Sequence, residues 1–132
     1  MAFEGMQGVT DGTRVAGADL SSSQYKFVKL DSNGKVVVCS GATDKPYGVL
    51  VNNPKSGATA SVVIVGVTKV QADAALATPG TLIGTSADGQ ADAKVPGTDT
   101  TEFVVGQTIG TAGAAGELVT VVVNCASPAR AA

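Results

Sequence analysis

Apolar positions along the chain alternate over short stretches, and turn residues break them at regular intervals. The longest stretch is SVVIVGVTKV, Ser61 to Val70. In a strand, Val63, Val65 and Val67 lie on one side, and Val62, Ile64 and Val70 on the other. Both sides are apolar, whereas a strand of a small antiparallel sheet ordinarily keeps one face wet, so each face here needs a cover. An uncovered strand of this kind is an aggregation hazard. The pattern therefore predicts that Val62 and Ile64, or else Val63 and Val65, are shielded from outside the core by another copy, a partner surface or the chain's own N-terminal arm.

The same reading predicts the other elements. QYKFVKL, the turn DSNG and KVVVC form a hairpin, because Asn33 and Gly34 tolerate the positive φ angles of tight turns. YGVLVNN follows as a strand, then a turn in which Pro54 fixes φ and Gly57 frees it. QADAALATPG fits one or two helical turns or an extended segment, with the extended form favoured, and Pro79-Gly80 ends it either way. TLIGTSADGQADAKV reads as strand, Asp88-Gly89 turn and strand, before the loop PGTDTTE.

The remainder repeats what precedes it. Gly48 aligns with Gly106 at an offset of 58, and Gly57 with Gly116 and Val62 with Val121 at 59; FVKLDSNGK likewise matches LIGTSADGQ. Two copies of a unit are too few for a solenoid but enough for one closed object. The predicted fold class is all-β: a compact barrel or sandwich of about eight short strands built from two approximate repeats. Residues 1–22 are Gly-rich and aperiodic and are expected to form an extended arm, with structure beginning near Gln24. Residues 23–126 form the single domain, and 127–132 a flexible tail.

Composition changes the picture in two ways. The 44% hydrophobic fraction is built from Ala and Val, with 4% aromatic residues and no Trp, so the core is thin. Charged residues are 15%, below the roughly 25% usual for soluble domains, which suits a surface that docks. A net charge of −2 gives no footprint for nucleic acid, and no apolar run approaches the roughly 18 residues of a membrane span. The N-terminus shows no basic region followed by an apolar core, so a soluble protein made in the cytoplasm is expected. Cys39 and Cys125 each close a valine-rich run and read as buried reduced thiols, with a disulfide left open.

There is no His, which removes His-based triads, Cys-His pairs and almost all zinc sites. Ser23 with Lys26 and Ser32 with Lys35 have Ser-x-x-Lys spacing, but both fall in strand or turn segments where that spacing does not bring amine to hydroxyl. Asp31-Ser32-Asn33-Gly34 resembles the start of a calcium loop, yet position 42, where the closing Glu belongs, is Ala. GQTIGTAGAAG lacks the Lys-Ser or Lys-Thr pair and the helix of a phosphate loop. The expectation is a protein that is not an enzyme, with no catalytic residue, cofactor or metal.

The runs ADLSSSQYKFVKLDSNGKVVV, KPYGVLVNNPKSGATASVVIVGVTKV, PGTLIGTSADGQA and GTAGAAGELVTVVV resemble the head decoration, or capsid cement, proteins of tailed bacteriophages. The resemblance covers about residues 18–124 and is most specific in GVLVNNP through VVIVGVTKV. It implies a β-rich protein on the outer surface of the virion that clamps neighbouring major capsid protein subunits. It also implies a homo-oligomer, with a trimer favoured, and an N-terminal arm that orders on docking. Candidate interface residues are Phe3, Val9, Val15, Val62 and Ile64. On this reading, deleting residues 1–22 abolishes capsid binding and leaves the barrel folded. The competing reading is a surface-displayed carbohydrate- or cell-binding module, for which no Trp and two Tyr are poor equipment.

Overall fold

A computed structural model describes residues 8–132 of the chain. Its strands are β1 (Val9–Val15), β2 (Phe27–Leu30), β3 (Val36–Val38), β4 (Gly48–Leu50), β5 (Thr59–Gln71), β6 (Leu82–Thr85), β7 (Ala91–Ala93), β8 (Phe103–Val104), β9 (Gly106–Thr108), β10 (Leu118–Asn124) and β11 (Ala129–Arg130). Eight of them form one antiparallel path, β3-β2-β4-β5-β10-β9-β6-β7, which curls into a half-barrel; β1 adds to β5, and β8 and β11 form a separate pair. The all-β expectation holds, and QADAALATPG is extended, with isolated bridges from Ala72 to Ala91 and Leu76 to Ala112.

The two repeats share their hairpin hydrogen bonds and strand register. In the first hairpin the Asp31 carboxylate accepts the Asn33 and Lys35 N–H groups at 2.8 and 2.9 Å. In the second the Ser86 hydroxyl accepts those of Asp88 and Gln90 at 3.1 and 3.2 Å. Gly34 and Gly89 occupy the left-handed position of these turns, at φ 74° and 77°. The β2–β4 register, Phe27 with Val49 and Val28 with Gly48, recurs in β6–β9 as Leu82 with Gln107 and Ile83 with Gly106.

The equivalence also reaches upstream of the hairpins. Ala16 donates to the Ala58 carbonyl and bridges Val36, as Ala72 donates to Glu117 and bridges Ala91. By the same mapping, β1 against the first half of β5 matches the second half of β5 against β10: Val15 opposes Thr59 as Gln71 opposes Leu118. β5 is therefore shared, closing one repeat and opening the next. β1 and β4 both pair with Val62 and Val63, so they flank β5 on opposite edges.

The face pattern of SVVIVGVTKV breaks at this junction. Against β1, Val65 opposes Val9 and Val63 opposes Thr10, leaving Ile64 as an extra bulged residue. Two residues on, Gly66 takes φ 137°, a conformation disfavoured for residues with a side chain. Strict alternation therefore holds only as far as Val63. The large core contains Phe27, Val49, Val70, Ile83, Val119, Val121 and Val123, with Val63 and the bulged Ile64 against it. A second core, of Val28, Val36, Leu50, Ala60 and Val62, lies on the opposite side of the first repeat, and Ala16 and Leu20 belong to it. The chain's own N-terminal segment thus covers Val62.

This corrects two expectations. Ordered structure does not wait until Gln24: β1 begins at Val9, and Ala16 and Leu20 are buried. Its apolar residues are too sparse to show periodicity, but each fills a place that Ala72 or Leu76 fills in the second repeat. Nor are residues 127–132 a loose tail, since β11 pairs with β8 and Ala131 is buried, exchanging backbone hydrogen bonds with Gly97 and Glu102.

Removing residues 1–22 would therefore open the first repeat's core, because it takes Ala16 and Leu20 with it. Leu20→Ala is expected to cost about 2–5 kcal/mol, the usual range for emptying a buried leucine site. Urea unfolding checks it, and an unchanged midpoint would place Leu20 outside the core.

Candidate docking grooves

Each repeat has a front face, carrying Val28, Leu50 and Val62 or their counterparts Ile83, Thr108 and Val121. Each has a back face, carrying Phe27, Val49 and Val63 or Leu82, Gln107 and Val122. The back of the first repeat seals the front of the second, joining both in the large core. The seal includes a 2.7 Å hydrogen bond from the Phe27 N–H to the Gly89 carbonyl and another of 2.8 Å from Gln71 to Tyr25. The remaining two faces have no repeat to cover them.

The outward back face forms a groove of about 470 Å³ lined by Val65, Leu82, Val104, Gln107, Val122 and Asn124. Leu82 is 38% exposed there, although its counterpart Phe27 is fully buried. The outward front face forms a groove of about 670 Å³ with Leu30, Pro46, Tyr47, Ile64, Ala126 and Pro128 among its walls. Leu30 is 37% exposed, whereas its counterpart Thr85 is buried against the first repeat. Tyr47 and Ile64 are half-buried where their counterparts Val105 and Val123 are buried. Lys29 and Lys45 edge this front groove, with Lys29 held by Asp44 at 2.9 Å.

The sequence-predicted residues fall in different places. Ile64 lines the front groove, and Val9, 56% exposed, opposes Val65 at the end of the back groove. Val15 is half-buried opposite Thr59. Val62 lies wholly inside the second core and has no surface to offer a partner. Phe3 lies outside the described residues. Leu30, Tyr47, Leu82, Gln107 and Val122 were not singled out by sequence reasoning. The repeat alignment carried a signal, because it pairs Leu82 with Phe27 and so puts a large apolar residue at a position needing a cover.

Tyr47 also clasps β1. Its hydroxyl donates to the Asp11 carboxylate, which accepts the Thr13 hydroxyl and N–H at 2.6 and 2.8 Å. The Thr13 hydroxyl first, then the Tyr47 hydroxyl and the Thr13 N–H, hold the Asp11 carboxyl at a pKa of about 2, and the same bond pushes Tyr47 upward. A depressed carboxyl pKa contributes stability that is present above the unfolded value, near 3.9, and lost as pH falls through about 2. Amide hydrogen exchange along β1 is therefore expected to accelerate as pH drops from about 4 towards 2, after correction for intrinsic rates. Asp11→Asn is expected to remove most of that acid dependence, and an unchanged profile would detach the clasp from β1.

Other candidate chemistry is accounted for by structure. Asp31 is occupied by turn amides, and no side-chain hydrogen bond joins Ser23 to Lys26 or Ser32 to Lys35 among the described residues. Among those residues no group of three or more carboxylate or Cys side chains is placed to hold a metal. Cys39 and Cys125 are free and buried, and burial pushes both thiols up to about 12, so neither is a nucleophile at neutral pH.

No family model and no curated protein sequence matches the chain. Among solved structures, it is similar to the head fiber gp8.5 N base of bacteriophage phi29, with a TM-score of 0.61 and 22% identity. The likeness spans 91% of this chain and 95% of that one, and it shows that the two share a fold.

Proposed function

We propose that the chain is a non-enzymatic virion structural protein that binds the outer surface of a phage capsid and stabilises it by bridging major capsid protein subunits. The observation that carries this reading is the shared fold with a phage head fiber base over nearly the full length of both chains. The apolar grooves add support, since both expose apolar surface that a partner could bury, and the Cys125 thiol behind the front groove is pushed up to about 12 by burial. Each docked copy contributes interface free energy that must be lost before neighbouring subunits separate under the outward load of packaged DNA. Work as a trimer would place three such contacts on one assembly. A carbohydrate-binding role fits less well: Arg130 lies over the Phe103 ring at 4.9 Å, and the Tyr47 hydroxyl is engaged by Asp11.

Co-sedimentation tests the proposal. The protein is expected to pellet with expanded heads of its own phage and to remain in the supernatant with unexpanded shells. Failure to pellet with either would overturn it.

A further inference from the structure

The two open grooves are the two halves of a contact the molecule already makes once. Within the chain, the back of the first repeat meets the front of the second and buries Phe27, Thr85, Val105 and Val123. Among the described residues, parts of the same two kinds of face stay open at the ends of the chain: the first repeat's front beyond the stretch that Ala16 and Leu20 cover, and the second repeat's back beside β8. Leu82, Gln107 and Val122 on the second repeat's back are equivalent to Phe27, Val49 and Val63. Leu30, Tyr47 and Ile64 on the first repeat's front are the counterparts of Thr85, Val105 and Val123.

We propose that copies of this chain associate head to tail, the back groove of one copy receiving the front groove of the next and repeating between molecules the junction already made within each. The occupant is a second copy because the only surface known to fit a back face of this fold is a front face of the same fold, seen in the internal junction. The apolar surfaces are matched: Leu82, Val65 and Val122 meet Leu30, Tyr47 and Ile64, with Lys29, paired to Asp44, and Lys45 left at the edge of the front groove. The internal hydrogen bond from Phe27 to Gly89 maps onto one from the Leu82 N–H of one copy to the Gly34 carbonyl of the next. The second repeat departs from the first where β8 crosses its back at Gly84, which shortens the docking strip and makes the contact weaker than the internal one. Such a contact is heterologous, so it produces a ring or an open chain and not a groove-on-groove dimer.

Purified protein tests this without a capsid, so its result is separable from the capsid-binding proposal. Sedimentation would compare wild type, Leu82→Glu, Leu30→Glu and an equimolar mixture of the two variants at about 100 µM, where a micromolar contact is nearly saturated. Wild type is expected above the 12.9 kDa monomer mass, and each variant alone at it. The mixture is expected to regain a two-chain species and nothing larger, because one variant keeps a sound front and the other a sound back. Gln107→Glu, at an exposed position of β9, replaces Leu82→Glu if circular dichroism shows that variant misfolded. A monomeric wild type, loss of association in the Leu82→Glu variant alone, or no change in either variant would each overturn the proposal.

Discussion

Gly106→Ala is expected to destabilise the protein by on the order of 3 kcal/mol or more, beyond the usual range for overpacking by one methyl group. A Cβ at Gly106 would overlap the Val122 carbonyl oxygen and come within 3.0 Å of the Val123 Cα, both backbone atoms of the paired strand β10. Neither can swing aside as a side chain could, so relief requires β9 to separate from β10. Gly48, its counterpart, stands in the same relation to β5, where an added Cβ would lie 2.5 Å from the Val63 carbonyl oxygen. The two substitutions should therefore cost similar amounts. By contrast, Gly12→Ala, at a site with nothing within 4 Å of an added Cβ, should change stability by less than about 0.5 kcal/mol. Chemical denaturation of the three variants decides the matter: a mild loss at Gly106 beside a large one at Gly48 would break the claimed equivalence of the repeats.

These glycines were also what made the fold legible from sequence. Gly48 with Gly106 and Gly57 with Gly116 were aligned by residue type, and each pair shares a local backbone constraint: a close strand approach in the first, φ 81° and 85° in the second. Hairpins were legible for the same reason, because Gly34 and Gly89 close their turns in the left-handed conformation, at φ 74° and 77°. β1 was not legible. VTDGTRV lacks apolar alternation and is held by register to β5, by Ala16 and by the Asp11 to Tyr47 bond, none of which leaves a periodic trace. The docking grooves were hidden for a further reason. Leu82 and Phe27 are the same kind of residue in equivalent strands, and only the order of stacking determines which is covered.

Lys94→Ala is expected to cost about 2–4 kcal/mol and to loosen the β8–β11 pair, whose Val104 lines the back groove. Lys94 occupies the place that the buried thiol of Cys39 holds in the first repeat, and its side chain is fully buried. Its ammonium donates to Glu102 at 2.5 Å, to the Thr85 carbonyl at 2.9 Å and to Asp92 at 3.1 Å. Truncation removes all three bonds and leaves Glu102, only 18% exposed, without its cation; partial exposure of both carboxylates keeps the cost below that of a fully buried pair. The Glu102 carbonyl also accepts the Ala131 N–H, so displacing this residue frees the C-terminal strand. Hydrogen exchange in residues 127–132 should rise in the variant ahead of exchange in β5 and β10. Charge and volume are separable, because Lys94→Met keeps most of the packing and still strands the carboxylates. Combining Lys94→Met with Glu102→Gln and Asp92→Asn should recover most of the loss if uncompensated charge is its main cause. A triple variant no more stable than Lys94→Met alone would assign the cost to the lost Thr85 hydrogen bond and packing instead.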